Sequence, residues 1–175
     1  NGDIRIAKQL VDAAAMAGAD YVKFQTFKTE ALVSKDARKA NYQQQNMFST
    51  DDTSQYSMLK KLELSREHHY ELVTYCNRKK IKFLSTPFDL SSIDFLASLH
   101  LGLWKIPSGE ITNYPYLKRI ALWHEPVIFS TGMCEMTEIE EAMKVLLRNG
   151  LTKEQLTVLH CNTEYPTPMR DVHLH

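Results

Sequence analysis

Five short apolar runs in this chain each end in residues able to bind an anion or move a proton. Lys23 and Gln25 close the first. Ser85, Thr86 and Pro87 close the second. Lys105, Ser108, Gly109 and Glu110 close the third, and Ser130, Thr131 and Gly132 the fourth. His160, Asn162, Thr163 and Tyr165 follow the fifth. Two ammonium groups among hydroxyls and glycine-flanked backbone N–H groups suit a phosphorylated anion. The lysines supply point charge and the other donors supply direction. Taken singly, a lysine at a strand end is a solvated charge and a Ser-Thr pair is a turn or a cap. Clusters at the same end of every run point instead to one shared pocket, on which Lys23 and Lys105 are expected to converge. Glu110 either orients a hydroxyl or moves a proton there, or serves as an ion-pair partner for Lys105.

The other candidate groups read as structural. His160 is expected to be a hydrogen-bonded interior histidine rather than an acid or base. His173 and His175 have strand-neighbour spacing, but two chain-end histidines are a thin metal signal. The adjacent His68 and His69 are expected on the surface of a helix. Cys134 and Cys161 have no evident base partner and read as small packing residues.

Alternating helix and strand signals place these clusters. Asp3 caps a helix with Ile6, Leu10, Ala14 and Ala17 at helical spacing, and Gly18 stops it. Asp20 to Gln25 is a strand. A long polar stretch follows from Thr29 to about Ser57, a length that marks function or disorder. Ser65 caps a helix with His69, Leu72, Val73 and Cys76 on one face. Ile81–Ser85 is a strand, and Asp89 or Ser92 opens a helix with Ile93, Leu96 and Leu99. Leu101–Ile106 is a strand, and Pro115 starts the next helix. Pro126–Ser130 is a strand. Thr137 and Glu140 form a capping box for a helix that Asn149-Gly150 ends. Leu156–His160 is the last strand. Strands alternating with helices imply a parallel sheet, either a (β/α)₈ barrel or a doubly wound open sheet. No G-x-G-x-x-G follows any strand, which weakens the dinucleotide-binding version.

Composition narrows the function classes. The chain has 175 residues, and its 21 basic residues balance 21 acidic ones. No global field therefore draws it to nucleic acid or an anionic membrane, and an anion site must be built locally. Three scattered cysteines and no C-x-x-C pair argue against a disulfide framework or a zinc site. A reducing cytoplasm is the expected compartment. No apolar run approaches the roughly 18 residues of a membrane span.

Six motifs in order carry a resemblance. They are Asn1-Gly2-Asp3, Tyr21-Val-Lys-Phe-Gln-Thr26, Leu84-Ser-Thr-Pro-Phe88, Trp104 through Pro115 with Ser108-Gly109-Glu110 inside, Ser130-Thr-Gly-Met133, and His160 through Pro168. Over nearly its whole length the chain resembles the catalytic barrel of the sialic acid synthase family, which includes N-acetylneuraminate synthase and its legionaminate-forming relatives. The resemblance implies a (β/α)₈ TIM barrel, of which this chain would supply about strands 2–6. It implies a divalent metal, Mn²⁺ or Mg²⁺, and a domain-swapped homodimer. It implies phosphoenolpyruvate held by Lys23, Thr86, Lys105, Ser108, Ser130 and Thr163, with Lys105 and Glu110 in the catalytic step. Gln25, Glu110 and Tyr165 would face the amino sugar.

The implied reaction condenses phosphoenolpyruvate with N-acetylmannosamine to give N-acetylneuraminate and phosphate. The alternatives are an N,N'-diacetyllegionaminate synthase using 2,4-diacetamido-2,4,6-trideoxymannose, another phosphoenolpyruvate aldol-type barrel, or a non-catalytic barrel module. A pseudaminate-type enzyme is disfavoured by Ser108-Gly109-Glu110. The chain departs from the family pattern in places. The first strand with its catalytic Glu, the metal-binding histidines and the C-terminal antifreeze-like domain are expected outside these residues. The 175 residues alone are therefore expected to be inactive. Cys161-Asn162-Thr163 stands where many members have Cys-Thr-Asn, so either Thr163 or Asn162 takes the usual asparagine's role.

Overall fold

The computed structural model describes residues 2–34 and 54–173, which fall into two units, Asn1–Phe83 and Leu84–His175. Most of the long polar stretch, with its Gln43–Gln45 and Ser49–Thr53 segments, lies outside the described residues, as do Asn1 and His175.

In the first unit, Asp3 caps helix α1, Ile4–Met16, by accepting from the Arg5 N–H at 2.8 Å. Ala7 and Val11 bury its inner face completely. Strand β1, Tyr21–Thr26, follows, with Phe24 and Thr26 buried and Lys23 and Gln25 exposed on the opposite face. Where a polar loop was expected, two helices lie at its ends: α2, Thr29–Leu32, and α3, Gln55–Leu62.

Glu63 ties these two helices together. Its carboxylate accepts from the Thr29 N–H at 3.2 Å, the Thr29 hydroxyl at 2.9 Å, Lys28 at 3.1 Å and Lys60 at 3.2 Å. Desolvation pushes the Glu63 pKa up, but these donors together outweigh it and hold the carboxyl at about 2.

Helix α4, Arg66–Lys79, starts at Ser65, whose hydroxyl accepts from the His68 N–H at 3.2 Å. It packs against α1. Tyr75 and Lys79 both reach Asp12, at 2.9 and 2.6 Å. The helix closes on Lys80 in the left-handed conformation, φ 58°. Strand β2, Lys82–Pro87, lies beside β1, and Phe83 stacks on Phe24 with ring centroids 5.5 Å apart.

The second unit is built around one hydrophobic core. Asp89 caps helix α5, Leu90–Ala97, taking the Ser92 N–H at 2.8 Å. Strand β3 is shorter than expected and spans only Trp104–Ile106, because Gly102 at φ 72° turns the chain just before it. Asn113 caps α6, Tyr114–Ala121, with Pro115 in its first turn. Strand β4 is Val127–Ser130, and α7 is Met136–Arg148.

The expected Thr137–Glu140 capping box sits instead two residues earlier, where the Glu135 N–H donates to the Glu138 carboxylate at 2.8 Å. The turn closed by Cys134 N–H on Thr131 C=O leaves Glu135 extended, so the helix begins before Thr137. Strand β5, Leu156–Leu159, completes a parallel sheet ordered β3-β4-β5. Parallel pairing of strands separated by helices is what the alternation predicts. Ile106, Val127 and Phe129 from this sheet are buried with Leu117, Ile120 and Leu146 from the helices. Tyr116 is fully buried, donates to Pro87 C=O at 2.8 Å, and has its phenol pKa pushed well up by desolvation. No helix among the described residues is long and apolar enough to cross a membrane.

Candidate functional site

The parallel register of β3 on β4 sets Lys105 against Ile128 and leaves Ser130 at the strand end beyond it. The Lys105 ammonium, only 9% exposed as a residue, donates to the Ser130 hydroxyl at 2.5 Å and to the Ile106 carbonyl at 2.7 Å. A buried ammonium beside a hydroxyl at the C-terminal end of a parallel sheet is chemically able to donate to an anion.

Directly after β3, Ser108–Glu110 forms one 3₁₀ turn. Ser108 lies against the loop after β4. A Cβ placed on Gly132 would stand 2.9 Å from Thr163 Cγ2 and 3.4 Å from Ser108 Oγ. Three chain segments therefore meet at one point, and only a glycine lets them approach so closely. Ser108, Gly132, Thr163, Thr112, Cys134 and Glu138 help line a cavity of about 270 Å³. The Cys134 thiol contacts Gly132 C=O at 3.3 Å. Burial first, then nearby Glu138 and Cys161, raise its pKa, as befits packing rather than attack. Glu110 is half-buried and its carboxylate accepts from Asn113 Nδ2 at 2.8 Å, which fixes its direction.

Thr86, next to last in β2, is 2% exposed, and its buried hydroxyl has no hydrogen-bond partner among the described residues. Such a group costs stability unless something satisfies it. Tyr165 is 80% exposed on the loop after β5. His160 is exposed, contrary to the interior place expected for it, and its Nε2 accepts from the His173 N–H at 3.2 Å. The strand before it shows the reason: β5 itself is largely exposed.

In the first unit, Lys23 and Gln25 line a cavity of about 440 Å³ with Leu10, Phe24, Phe27 and Leu64. Although the Lys23 residue is exposed overall, partial burial of its ammonium lowers its pKa. His69 corrects the surface reading. It is 1% exposed, and its Nδ1–H donates to Ser65 C=O at 2.7 Å. Nε2 is then the acceptor for the Thr26 hydroxyl at 2.7 Å. Burial lowers the ring's pKa, which keeps it neutral. Its phase with Leu72 and Cys76 was the sequence signal for burial.

Among the described residues no group of three or more His, Cys, Asp or Glu assembles to hold a metal. The described residues alone therefore supply no ligand set for the divalent ion that the resemblance implies.

The alternating helices and parallel strands define an α/β protein with polar residues gathered at the C-terminal ends of β3 and β4. The NeuB family model matches residues 10–175, and the chain belongs to that family. It is 51% identical to the N,N'-diacetyllegionaminic acid synthase of Campylobacter jejuni, over 99% of this chain and 52% of that protein. It is 50% identical to the N,N'-diacetyllegionaminic acid synthase of Legionella pneumophila, over 99% of this chain and 49% of that protein. The chain thus spans about half the length of the relatives it matches. The crystal structure of the N-acetylneuraminic acid synthetase of Leptospira borgpetersenii, a citrate complex, superposes with a TM-score of 0.81. That match is at 26% identity and covers 97% of this chain and 53% of that one.

Proposed function

We propose that the protein carrying this chain is an N,N'-diacetyllegionaminate-type synthase. It would condense phosphoenolpyruvate with 2,4-diacetamido-2,4,6-trideoxymannose. The observation that carries the anion-binding half is the buried Lys105–Ser130 pair, at 2.5 Å, at the C-terminal end of a parallel sheet. The choice of acceptor is supported by the two relatives at 50–51% identity, both named for that product. The N-acetylneuraminate reading is second, and the Leptospira neighbour at 26% identity favours it less strongly.

In the proposed reaction, C3 of phosphoenolpyruvate bonds to the aldehyde carbon of the open-chain sugar. Water adds at C2, the C2–O bond to phosphorus-bound oxygen breaks, and inorganic phosphate leaves. Lys23, Lys105, Ser108, Ser130 and Thr163 offset and direct the phosphate and carboxylate charges. The buried Thr86 hydroxyl gains the partner it lacks when an oxyanion binds. Glu110, held by Asn113, orients an acceptor hydroxyl or carries a proton, and Gln25 and Tyr165 contact the sugar. The proposal includes an eight-stranded barrel, a homodimer, and Mn²⁺ or Mg²⁺ held by ligands outside these residues.

The test offers full-length protein phosphoenolpyruvate with each of three acceptors: the 2,4-diacetamido sugar, N-acetylmannosamine and its 6-phosphate. A nine-carbon keto acid formed fastest from the first supports the proposal. Preference for either mannosamine overturns the acceptor assignment, and release of phosphate with none of them overturns the synthase reading.

A further inference from the structure

The Thr26–His69 hydrogen bond has no part in the proposed chemistry, yet it ends the strand that carries two of the proposed ligand contacts. Thr26 is the last residue of β1, directly after Gln25 and close to Lys23. We propose that His69 is a positioning residue: through Thr26 it holds the C-terminal end of β1, and with it the directions of Lys23 and Gln25. The proposal rests on the ligand-binding roles given to those two residues above.

Three contacts fix the imidazole. Nδ1–H is anchored on Ser65 C=O at the start of α4, at 2.7 Å. The ring meets Phe83 edge-on, with centroids 6.1 Å apart. Nε2 takes the Thr26 hydroxyl at 2.7 Å in a buried setting. Phe83 in turn stacks on Phe24, which lies between Lys23 and Gln25 in β1. The inward residues Phe24 and Thr26 are thus both gripped, which sets the orientation of the alternate residues on the opposite face. A hydrogen bond made inside a low-dielectric core is stronger and more directional than one at the surface.

The competing role is purely structural. His69 would then matter only for anchoring the first turn of α4 through Ser65 C=O. The two roles use different ring nitrogens, so near-isosteric amides separate them. Glutamine at 69 reaches the Nε2 position and offers an oxygen to Thr26. Asparagine stops at the Nδ1 position and keeps only the donor to Ser65.

The experiment uses full-length protein and measures KM for phosphoenolpyruvate, kcat and thermal unfolding. His69→Gln and Thr26→Ser are expected to keep KM within about twofold of the wild type. His69→Asn and Thr26→Val are expected to raise KM about tenfold, the scale of one lost buried hydrogen bond, with a smaller change in kcat. Wild-type KM in both His69→Asn and Thr26→Val overturns the proposal. Rescue by asparagine but not by glutamine also overturns it, in favour of the anchoring role. If wild-type protein does not consume phosphoenolpyruvate, the functional reading fails separately. The positioning claim then stands or falls on amide hydrogen exchange in β1. Faster exchange over Lys23–Thr26 in His69→Asn and Thr26→Val than in His69→Gln supports it, and equal exchange in all three overturns it.

Discussion

Replacing Lys105 by Met tests the anion site most directly. Methionine keeps the apolar stem and stops one atom short of the ammonium, so the packing of a residue only 9% exposed is largely preserved. The charge is removed, and so are the hydrogen bonds to Ser130 Oγ at 2.5 Å and Ile106 C=O at 2.7 Å. For the ligand, a charge-assisted hydrogen bond to an anion is worth about 1.5–3 kcal/mol, so phosphoenolpyruvate should bind roughly 10- to 150-fold more weakly. For the fold, two acceptors lose a donor, and a loss on the order of 1–3 kcal/mol is expected. Ser130→Ala removes only the neutral member of the pair and should cost about 0.5–1.5 kcal/mol of binding. The double variant should lose less than the sum, because the two groups contact each other. Isothermal titration of full-length protein with phosphoenolpyruvate measures all three, and urea unfolding separates binding from folding. Wild-type affinity in Lys105→Met, with the fold intact, would refute the anion-site reasoning. Strict additivity with Ser130→Ala would refute the claim that the two act as one donor pair.

Three further perturbations follow from the geometry. A Cβ at residue 132 stands 2.9 Å from Thr163 Cγ2, so Gly132→Ala should displace Thr163 and weaken phosphoenolpyruvate binding. Adding Thr163→Ser removes that methyl and should restore most of the affinity, as titration of the single and double variants will show. Glu63 titrates at about 2 in the folded protein against an ordinary 4.5. The folded pKa is the depressed one, so its stabilisation is present above about 4.5 and is lost as pH falls toward 2, on the order of 3 kcal/mol in all. Glu63→Gln should flatten this part of the stability–pH curve in chemical unfolding, and an unchanged curve would remove Glu63 from that role. Lys80 caps α4 with φ 58°, so Lys80→Gly should raise stability by about 1 kcal/mol by thermal unfolding, and a loss would contradict the strain assigned there.

How much of this was legible in the sequence depended on whether the signal was local. The caps at Asp3 and Ser65, the Asp89-or-Ser92 alternative that the structure resolves to Asp89, and the apolar phases behind them are local, and they marked three helix starts without help from the rest of the chain. Helices α2 and α3 are short, and Glu63 joins them through donors as distant as Lys28 and Thr29. Nothing within either segment announces that bridge. Strand β3 shrank because Gly102 turns the backbone just before it, and a β-type composition from Leu101 onward does not reveal that turn.

The site divides in the same way. That the polar ends of β3, β4 and β5 share one end of a sheet could be read from β/α alternation alone, since crossover connections make these strands parallel. That Lys105 grips Ser130, or that Gly132 admits Thr163 beside Ser108, depends on the register between strands, which no local pattern encodes. His69 shows the limit most sharply. Next to His68 and ahead of a basic helix end it looks like a surface residue, and only its phase with Leu72 and Cys76 argues otherwise. What makes burial tolerable is a pair of partners, Ser65 C=O and the Thr26 hydroxyl, and the second of these lies 43 residues away in the chain. A buried polar side chain is thus predictable from sequence only when its partners are, and long-range partners are the part that folding supplies.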